Sequence, residues 1–365
     1  MLAKRYSKTA REKGARAHNG GVQPSSISDY LLFAYKEKSL NLSPRIQSPF
    51  FSRECSTALK GIAIMLVIFG HRGLIDGAGS WGVLIFLVLS GYGISKSVLK
   101  KGLDGYWQNR VIGVLMPYAL FSFIQLGLSL FMGEKFGVGG ALCTLMGLDF
   151  GLNVDPTMWY ISFIFVCYAV FYGSYRIYER HGAAAFTAVL LAAFVLVAAV
   201  GLSHFVWHKG TAAWTYFWAF PAGALLAMHE KIMPGGGISL AVCMLICVAS
   251  LAAVVLMYGT PHGSINLLIY SAAGALLVTL MVKFLEDLPA GSVLFRVMRP
   301  LGVASYSMYL NEGFLIRLDA YIPFVMGPVL TLLFSFVFAF AWNQLVTDRA
   351  TRWLKERAII RRRLS

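Results

Sequence analysis

Thr57-Ala58-Leu59-Lys60-Gly61-Ile62-Ala63-Ile64-Met65-Leu66-Val67-Ile68-Phe69-Gly70-His71 is an apolar run interrupted by a lysine near its start and a histidine at its end. With the residues after it, 57–75 comes close to the ~20 residues a helix needs to cross the hydrocarbon of a bilayer. An ionisable group inside such a helix is expensive and is a functional candidate by default. Lys60 and His71 are eleven residues apart. At about 100° per residue they fall within ~20° of one face, with a rise of ~16 Å between them. One stripe of the helix therefore carries a cation near one membrane face and a histidine half a bilayer further on.

The same apolar character recurs along the chain. Further candidate spans lie at 81–99, 111–132, 157–178, 184–203, 211–229, 238–258, 264–284, 300–317 and 322–346, and 138–152 is a shorter apolar stretch of possible re-entrant type. The expectation is an all-α integral membrane protein, a bundle of about ten transmembrane helices. Composition agrees: of 365 residues 58% are hydrophobic and 13% charged. A soluble domain carries about 25% charged residues, so this chain has too little polar surface to clothe a water-soluble body.

The net charge is +15. On a soluble domain that excess would point to nucleic acid. Here the basic residues sit in short loops and tails, so no nucleic-acid partner is expected and the charge sets orientation. If both termini are cytoplasmic, only Arg72, Lys135, Lys209 and Arg317 fall in outside loops. Residues 1–55 read as a basic, largely disordered cytoplasmic tail with a possible short surface helix at Tyr30–Lys38; 56–347 as the membrane domain; 348–365 as a second basic cytoplasmic tail. The start of the chain lacks the apolar core of a cleavable signal, so the first span is expected to act as an uncleaved anchor.

Other polar residues stand out against this background. Arg110 precedes the third span, where a guanidinium suits either phosphate binding or orientation by charge. Ser90-Gly91 lets backbones approach closely. Ser305, Tyr306, Ser307, Tyr309, Asn311 and Glu312 cluster late in the chain; Ser305, Tyr309 and Glu312 can share a face, and Glu312 needs a partner or a proton there. Two readings fit His71, an interfacial histidine or a catalytic one, and two fit Lys60, a snorkelling cation or a ligand group. His204 and His208 have metal-capable spacing but no third ligand nearby, so no metal is expected. Cys243 and Cys247 share a helix face as packing residues, and the five cysteines imply no disulfide framework.

The basic residue eleven positions before the histidine resembles the opening signature of the acyltransferase-3 family. Gly82-Val83-Leu84-Ile85-Phe86-Leu87-Val88-Leu89-Ser90-Gly91-Tyr92 is similar to that family's second-helix run ending in Ser-Gly-aromatic. Arg110 with Pro117 and Tyr118 resembles the end of its arginine-rich stretch, Trp159-Tyr160 a recurring Trp-aromatic pair, and Phe220 with Gly223 an aromatic–glycine site. Leu301-Gly302-Val303-Ala304-Ser305-Tyr306-Ser307-Met308-Tyr309-Leu310 looks like its late Ser-Tyr-x-x-Tyr-Leu box. The resemblance runs over about 56–346, in order. Three departures stand: Lys60 replaces a more usual arginine, the arginine-rich stretch keeps only Arg110, and Asn311-Glu312 fill a region where many members carry a histidine.

The resemblance implies transfer of an acyl group, acetyl from acetyl-coenzyme A as co-substrate, to a hydroxyl of a cell-surface or periplasmic carbohydrate at the inner membrane. No bound cofactor is expected. His71 would be the catalytic base, a role suited to a group whose ordinary pKa is near 6.5, or the carrier of the acyl group. Lys60 and Arg110 would hold the donor phosphates, and Ser90, Trp159, Tyr160, Ser305, Tyr306, Tyr309 and Glu312 would line or support the acceptor pocket. Alternatives are transfer of another acyl group such as succinyl, a transporter or flippase for a polar or lipid-linked sugar, and an inactive relative serving as a membrane partner. Oligomeric state is open.

Overall fold

The computed structural model describes residues 52–148, 158–202, 218–230, 291–318 and 327–347, together with 245, 274, 277–282, 284–285, 288–289 and 349–350. The N-terminal tail and its possible helix, most of spans 238–258 and 264–284, His204, His208, Cys243, Cys247 and the C-terminal tail lie outside the described residues.

Among the described residues all regular structure is helical. The order is α1 (Arg53–His71), α2 (Ala78–Lys101), α3 (Tyr106–Arg110), a π-helical turn (Val111–Leu115), α4 (Met116–Phe131), α5 (Val138–Leu145), α6 (Trp159–Leu202), α7 (Ala219–His229), α8 (Val293–Leu318), α9 (Pro328–Trp342) and a second π-helical turn (Asn343–Thr347). Among the described residues five stretches are long and apolar enough to cross a membrane: Arg53–His71, Ala78–Lys101, Tyr106–Phe131, Trp159–Leu196 and Pro328–Thr347.

The first helix starts where its chemistry says it should. The Ser52 side chain accepts a hydrogen bond of 3.0 Å from the Cys55 amide, and Glu54 sits in the positive first turn. The helix ends at His71, four residues short of the expected boundary at 75, because Gly73 and Gly77 take left-handed backbone conformations and turn the chain into α2.

The two spans expected at 157–178 and 184–203 are the limbs of α6. Gly182, at φ 79° and ψ −172°, breaks the helix between them. Phe171 and Phe186 would stand ~22 Å apart along a straight helix, yet their ring centroids are 5.8 Å apart. Tyr178 also meets Phe186, at 6.2 Å. The limbs therefore form a hairpin at Gly182.

The starts of α8 and α9 also differ from the sequence expectation. α8 begins at Val293 rather than 300, running through Pro300, and α9 begins at Pro328 rather than 322. The apolar stretch at 138–152 contains the eight-residue α5, ~12 Å long, too short to cross.

Helices α1, α2, α7 and α8 pack closely because small residues face backbone. A Cβ on Gly61 would strike the Met298 carbonyl oxygen, and one on Gly302 would strike that of Thr57, which brings α1 onto α8. Gly82 likewise abuts the Ala63 carbonyl on α1. Gly91 abuts the Phe220 carbonyl, and Gly223 that of Val88, so α2 and α7 meet through reciprocal glycines. In lipid, where burial of apolar surface drives little association, such contact holds helices together by close packing.

Candidate active site

Three tight crossings leave a cavity of about 260 Å³ between α1, α2, α6, α8 and the π-helical turn. Ser305 and Tyr306 follow Gly302 by one turn on α8, and Ser90 precedes Gly91 on α2. The glycine crossings thus present these side chains to the cavity, whose wall contains Lys60, Ser90, Tyr160, Ser305, Tyr306 and Tyr309.

The polar wall is cross-linked. Tyr160 shares a side-chain hydrogen bond with Ser90 and packs edge-on against Tyr309 with ring centroids 5.7 Å apart. The Tyr306 hydroxyl donates to the Val114 carbonyl at 2.6 Å, inside the widened turn. The Ser305 hydroxyl donates to the Gly302 carbonyl at 2.9 Å. Single π-turns of this kind are frequent at functional sites because they free backbone groups.

Lys60 lies seven residues into α1, ~10 Å from its start. It keeps exposed surface into the cavity, and no anion among the described residues pairs with it. A cation lining an internal cavity can hold an anionic or strongly polar ligand.

Along the stripe from Lys60, Val67 lines the cavity and His71 follows one turn later. His71 Nδ1 lies 2.7 Å from Glu312 Oε1. The histidine is about two-fifths exposed, while Glu312 is fully buried. With Glu312 ionised, its oxygen accepts, which puts the imidazole proton on Nδ1 and makes Nε2 the basic nitrogen. The second carboxylate oxygen of Glu312 is buried with no hydrogen-bond partner among the described residues. A carboxylate placed in this way gains most when the imidazole becomes an imidazolium, which is the condition for favouring a transition state over a ground state.

The neighbouring polar residues of α8 have other tasks. The Asn311 side chain donates to the Ser335 carbonyl at 3.0 Å and accepts from the Ser335 hydroxyl, and Ser307 bonds Asn343. They fasten α8 to α9 and its following turn.

Arg110 is placed behind the cavity wall. Its guanidinium lies 5.3 Å from the Tyr168 ring centre and 5.7 Å from that of Tyr106, and it hydrogen-bonds the Tyr168 hydroxyl. Tyr168 itself lines the cavity. Trp159 also stands back, edge-on to Tyr160 and Phe163.

The arrangement therefore gathers Lys60, Ser90, Tyr160, Ser305, Tyr306 and Tyr309 on one wall, sets the His71–Glu312 pair one turn beyond it, and holds Arg110 and Trp159 in a second layer. Sequence reasoning passed over Tyr168, although Tyr160, Ile164 and Tyr168 recur at four-residue spacing on one face of α6. It also passed over Gly79, whose place beside the His71 ring has no sequence signal.

A family model for an acyltransferase domain, of the acyltransferase-3 type, matches residues 54–348. No curated protein and no solved structure matches the chain.

Proposed function

The chain belongs to the acyltransferase-3 family of membrane acyltransferases, and from that premise we propose that it moves an acetyl group from acetyl-coenzyme A to a carbohydrate hydroxyl at the inner membrane. The observation that carries the reading is the His71–Glu312 pair, set one turn beyond a cavity whose wall holds the Lys60 cation.

In this reading the donor enters from the cytoplasm with its anionic head toward Lys60 and its thioester toward His71. Arg110, at the end of the short α3, acts on the donor from behind the wall, by holding Tyr168 in place. The acceptor is a sugar of the periplasm or cell surface, reached from the exposed side of His71. The hydroxyl gives its proton to Nε2 as its oxygen attacks the thioester carbonyl. The new C–O bond forms, the C–S bond breaks, and the proton on Nε2 passes to the departing coenzyme A sulfur. Throughout, Glu312 holds the Nδ1 proton and balances the transient imidazolium. A two-step route, with the acyl group carried on Nε2, uses the same residues.

The test is transfer of labelled acetyl from acetyl-coenzyme A to glycan in membranes containing the protein, with mass spectrometry of the glycan from a deletion strain. Label in the glycan and loss of one acetyl mass on deletion are expected. Glycan of unchanged mass, with no label transferred, would refute the reading.

A further inference from the structure

The cavity between α1, α2, α6, α8 and the π-helical turn reaches the surface at two places in its wall. Of the described residues that line it, Lys60 on α1 and Gly113 in the turn are exposed, while the others are buried or half-buried. Nothing in the backbone at Gly113 demands glycine: it lies inside the Val111–Leu115 turn without positive φ. Nor does crowding demand it, since a Cβ there would meet nothing within 4 Å among the described residues. Helix interiors disfavour glycine against alanine, so its presence there needs another reason.

Comparison with the other glycines narrows that reason. At Gly61, Gly82, Gly91, Gly223 and Gly302 a Cβ would collide with a facing backbone, and packing explains them. Gly93, Gly127 and Gly173 are as open as Gly113, but they do not line the cavity. Among the described glycines Gly113 alone is both open and part of the wall. Its surroundings are held in place. The Tyr306 hydroxyl donates to the carbonyl of Val114, the next residue, at 2.6 Å, and both of these residues line the cavity. The opening at Gly113 thus has a rim of pinned backbone, with no side chain of its own to swing across it.

We propose that Gly113 marks the passage by which the thioester arm of the coenzyme A donor enters the cavity, and that glycine keeps this passage clear. The inference rests on the donor of the reading above. Coenzyme A suits such an opening because it has two unlike parts. Its nucleotide is bulky and carries the phosphates, and its pantetheine arm is a slender, flexible chain that ends at the sulfur. The arm passes Gly113, and its amides meet a wall that carries the hydroxyls of Ser90, Tyr160 and Ser305. The thioester then lies toward Val67, the lining residue one turn before His71. Lys60 and His71 are ~16 Å apart along α1, a distance the extended arm spans. The phosphates stay outside, where Lys60, the other exposed residue of the wall, offers a charge. A side chain at 113 would stand in the path of the arm.

The test uses the full-length protein in detergent, as wild type, Gly113→Leu, Gly113→Cys and, for an open glycine away from the cavity, Gly93→Cys. The first readout is kcat and KM for acetyl-coenzyme A. The second is the rate at which a bulky methanethiosulfonate labels the introduced thiol, followed by peptide mass spectrometry with and without coenzyme A, which needs no acyl transfer. Gly113→Leu should lower kcat/KM by about 200-fold, the top of the range for one misplaced methylene. Labelling of Gly113→Cys should stop its turnover, and dithiothreitol should restore it, which separates a blocked passage from a misfolded chain. Saturating coenzyme A should slow that labelling about tenfold or more by occupying the passage. Gly93→Cys should show neither effect. If turnover survives labelling at position 113, or if coenzyme A leaves the labelling rate there unchanged, the donor does not pass Gly113 and the proposal is overturned. If wild type transfers no acetyl, the reading of the reaction fails, and labelling alone decides the passage: protection by coenzyme A upholds it and lack of protection overturns it.

Discussion

His71 and Glu312 are 241 residues apart in sequence and 2.7 Å apart in space. Removing either should act on rate more than on binding. His71→Ala is expected to cost about 10²–10⁴-fold in turnover at saturating donor, the range for a positioned base. Glu312→Gln keeps an acceptor for the Nδ1 proton but not the charge, so it should lose less than Glu312→Ala, which removes both. Equal losses for the two would show that the hydrogen bond adds nothing beyond the charge, and a Glu312→Gln variant as active as wild type would show that the charge is irrelevant. Lys60 answers to a different measurement. Lys60→Ala should raise the KM for acetyl-coenzyme A by roughly 10–100-fold, as loss of one charge-assisted contact of about 1.5–3 kcal/mol predicts, and Lys60→Arg should recover most of it. A donor titration that changes kcat alone would contradict this. The shared face of Lys60 and His71 was legible because helical periodicity needs no tertiary information. The cost of Glu312 in an apolar segment was legible too, but its partner was not, because nothing local in either helix encodes a contact across so long a loop.

At the scale of the element, the fold depends on where helices touch rather than on how apolar they are. Gly91 and Gly93 lie on the same helix. A Cβ on Gly91 or on its reciprocal Gly223 would enter the partner helix's backbone, whereas one on Gly93 would meet nothing within 4 Å. Gly223→Ala should therefore lower the melting temperature in detergent and the amount in the membrane, with an overpacking cost of about 1–3 kcal/mol. Gly93→Ala should leave both unchanged or slightly raised, since alanine favours helix. If Gly223→Ala matches wild type, the close approach of α2 and α7 is wrong. Hydropathy located most helices because length and apolarity are local properties. It placed the start of α8 seven residues late because Arg296, Arg299 and Pro300 read as a boundary while the backbone continues as helix through them. It also treated Ser90-Gly91 and Phe220 with Gly223 as separate signals, although they are two halves of one crossing.

At the scale of the molecule, pairs of side chains sort the helix ends into two sets. Glu54 and Arg299 are 3.4 Å apart, joining the starts of α1 and α8. Lys96 bonds Glu230, which also accepts from the Tyr92 hydroxyl at 2.9 Å, joining the ends of α2 and α7. Thr187 and His229 meet at 2.9 Å, bringing the α6 hairpin to that same end of α7. His71 and Glu312 join the far end of α1 to the far half of α8. An orientation that puts Arg53 inside, with α1 and α2 crossing in opposite directions, places the first three sets on one face and the His71 pair toward the other. Contacts alone do not say which face is cytoplasmic; the distribution of charge favours one assignment. Lys96, Lys100, Lys101, Arg176, Arg180, Arg296 and Arg299 all belong to the first face, and short basic loops stay in the cytoplasm. The donor would then enter at the Lys60 end of the cavity and the acceptor would meet His71 on the periplasmic side. Reporter fusions after Arg180, at the tip of the α6 hairpin, and after Lys231, just past α7, should both read cytoplasmic, and one after Lys135 should read periplasmic. A periplasmic signal at both of the first two would invert the molecule and leave a cytoplasmic His71 with no access to a surface glycan. A split result would break the pairing of α6 with α7, because Thr187 and His229 could not then share a face of the membrane.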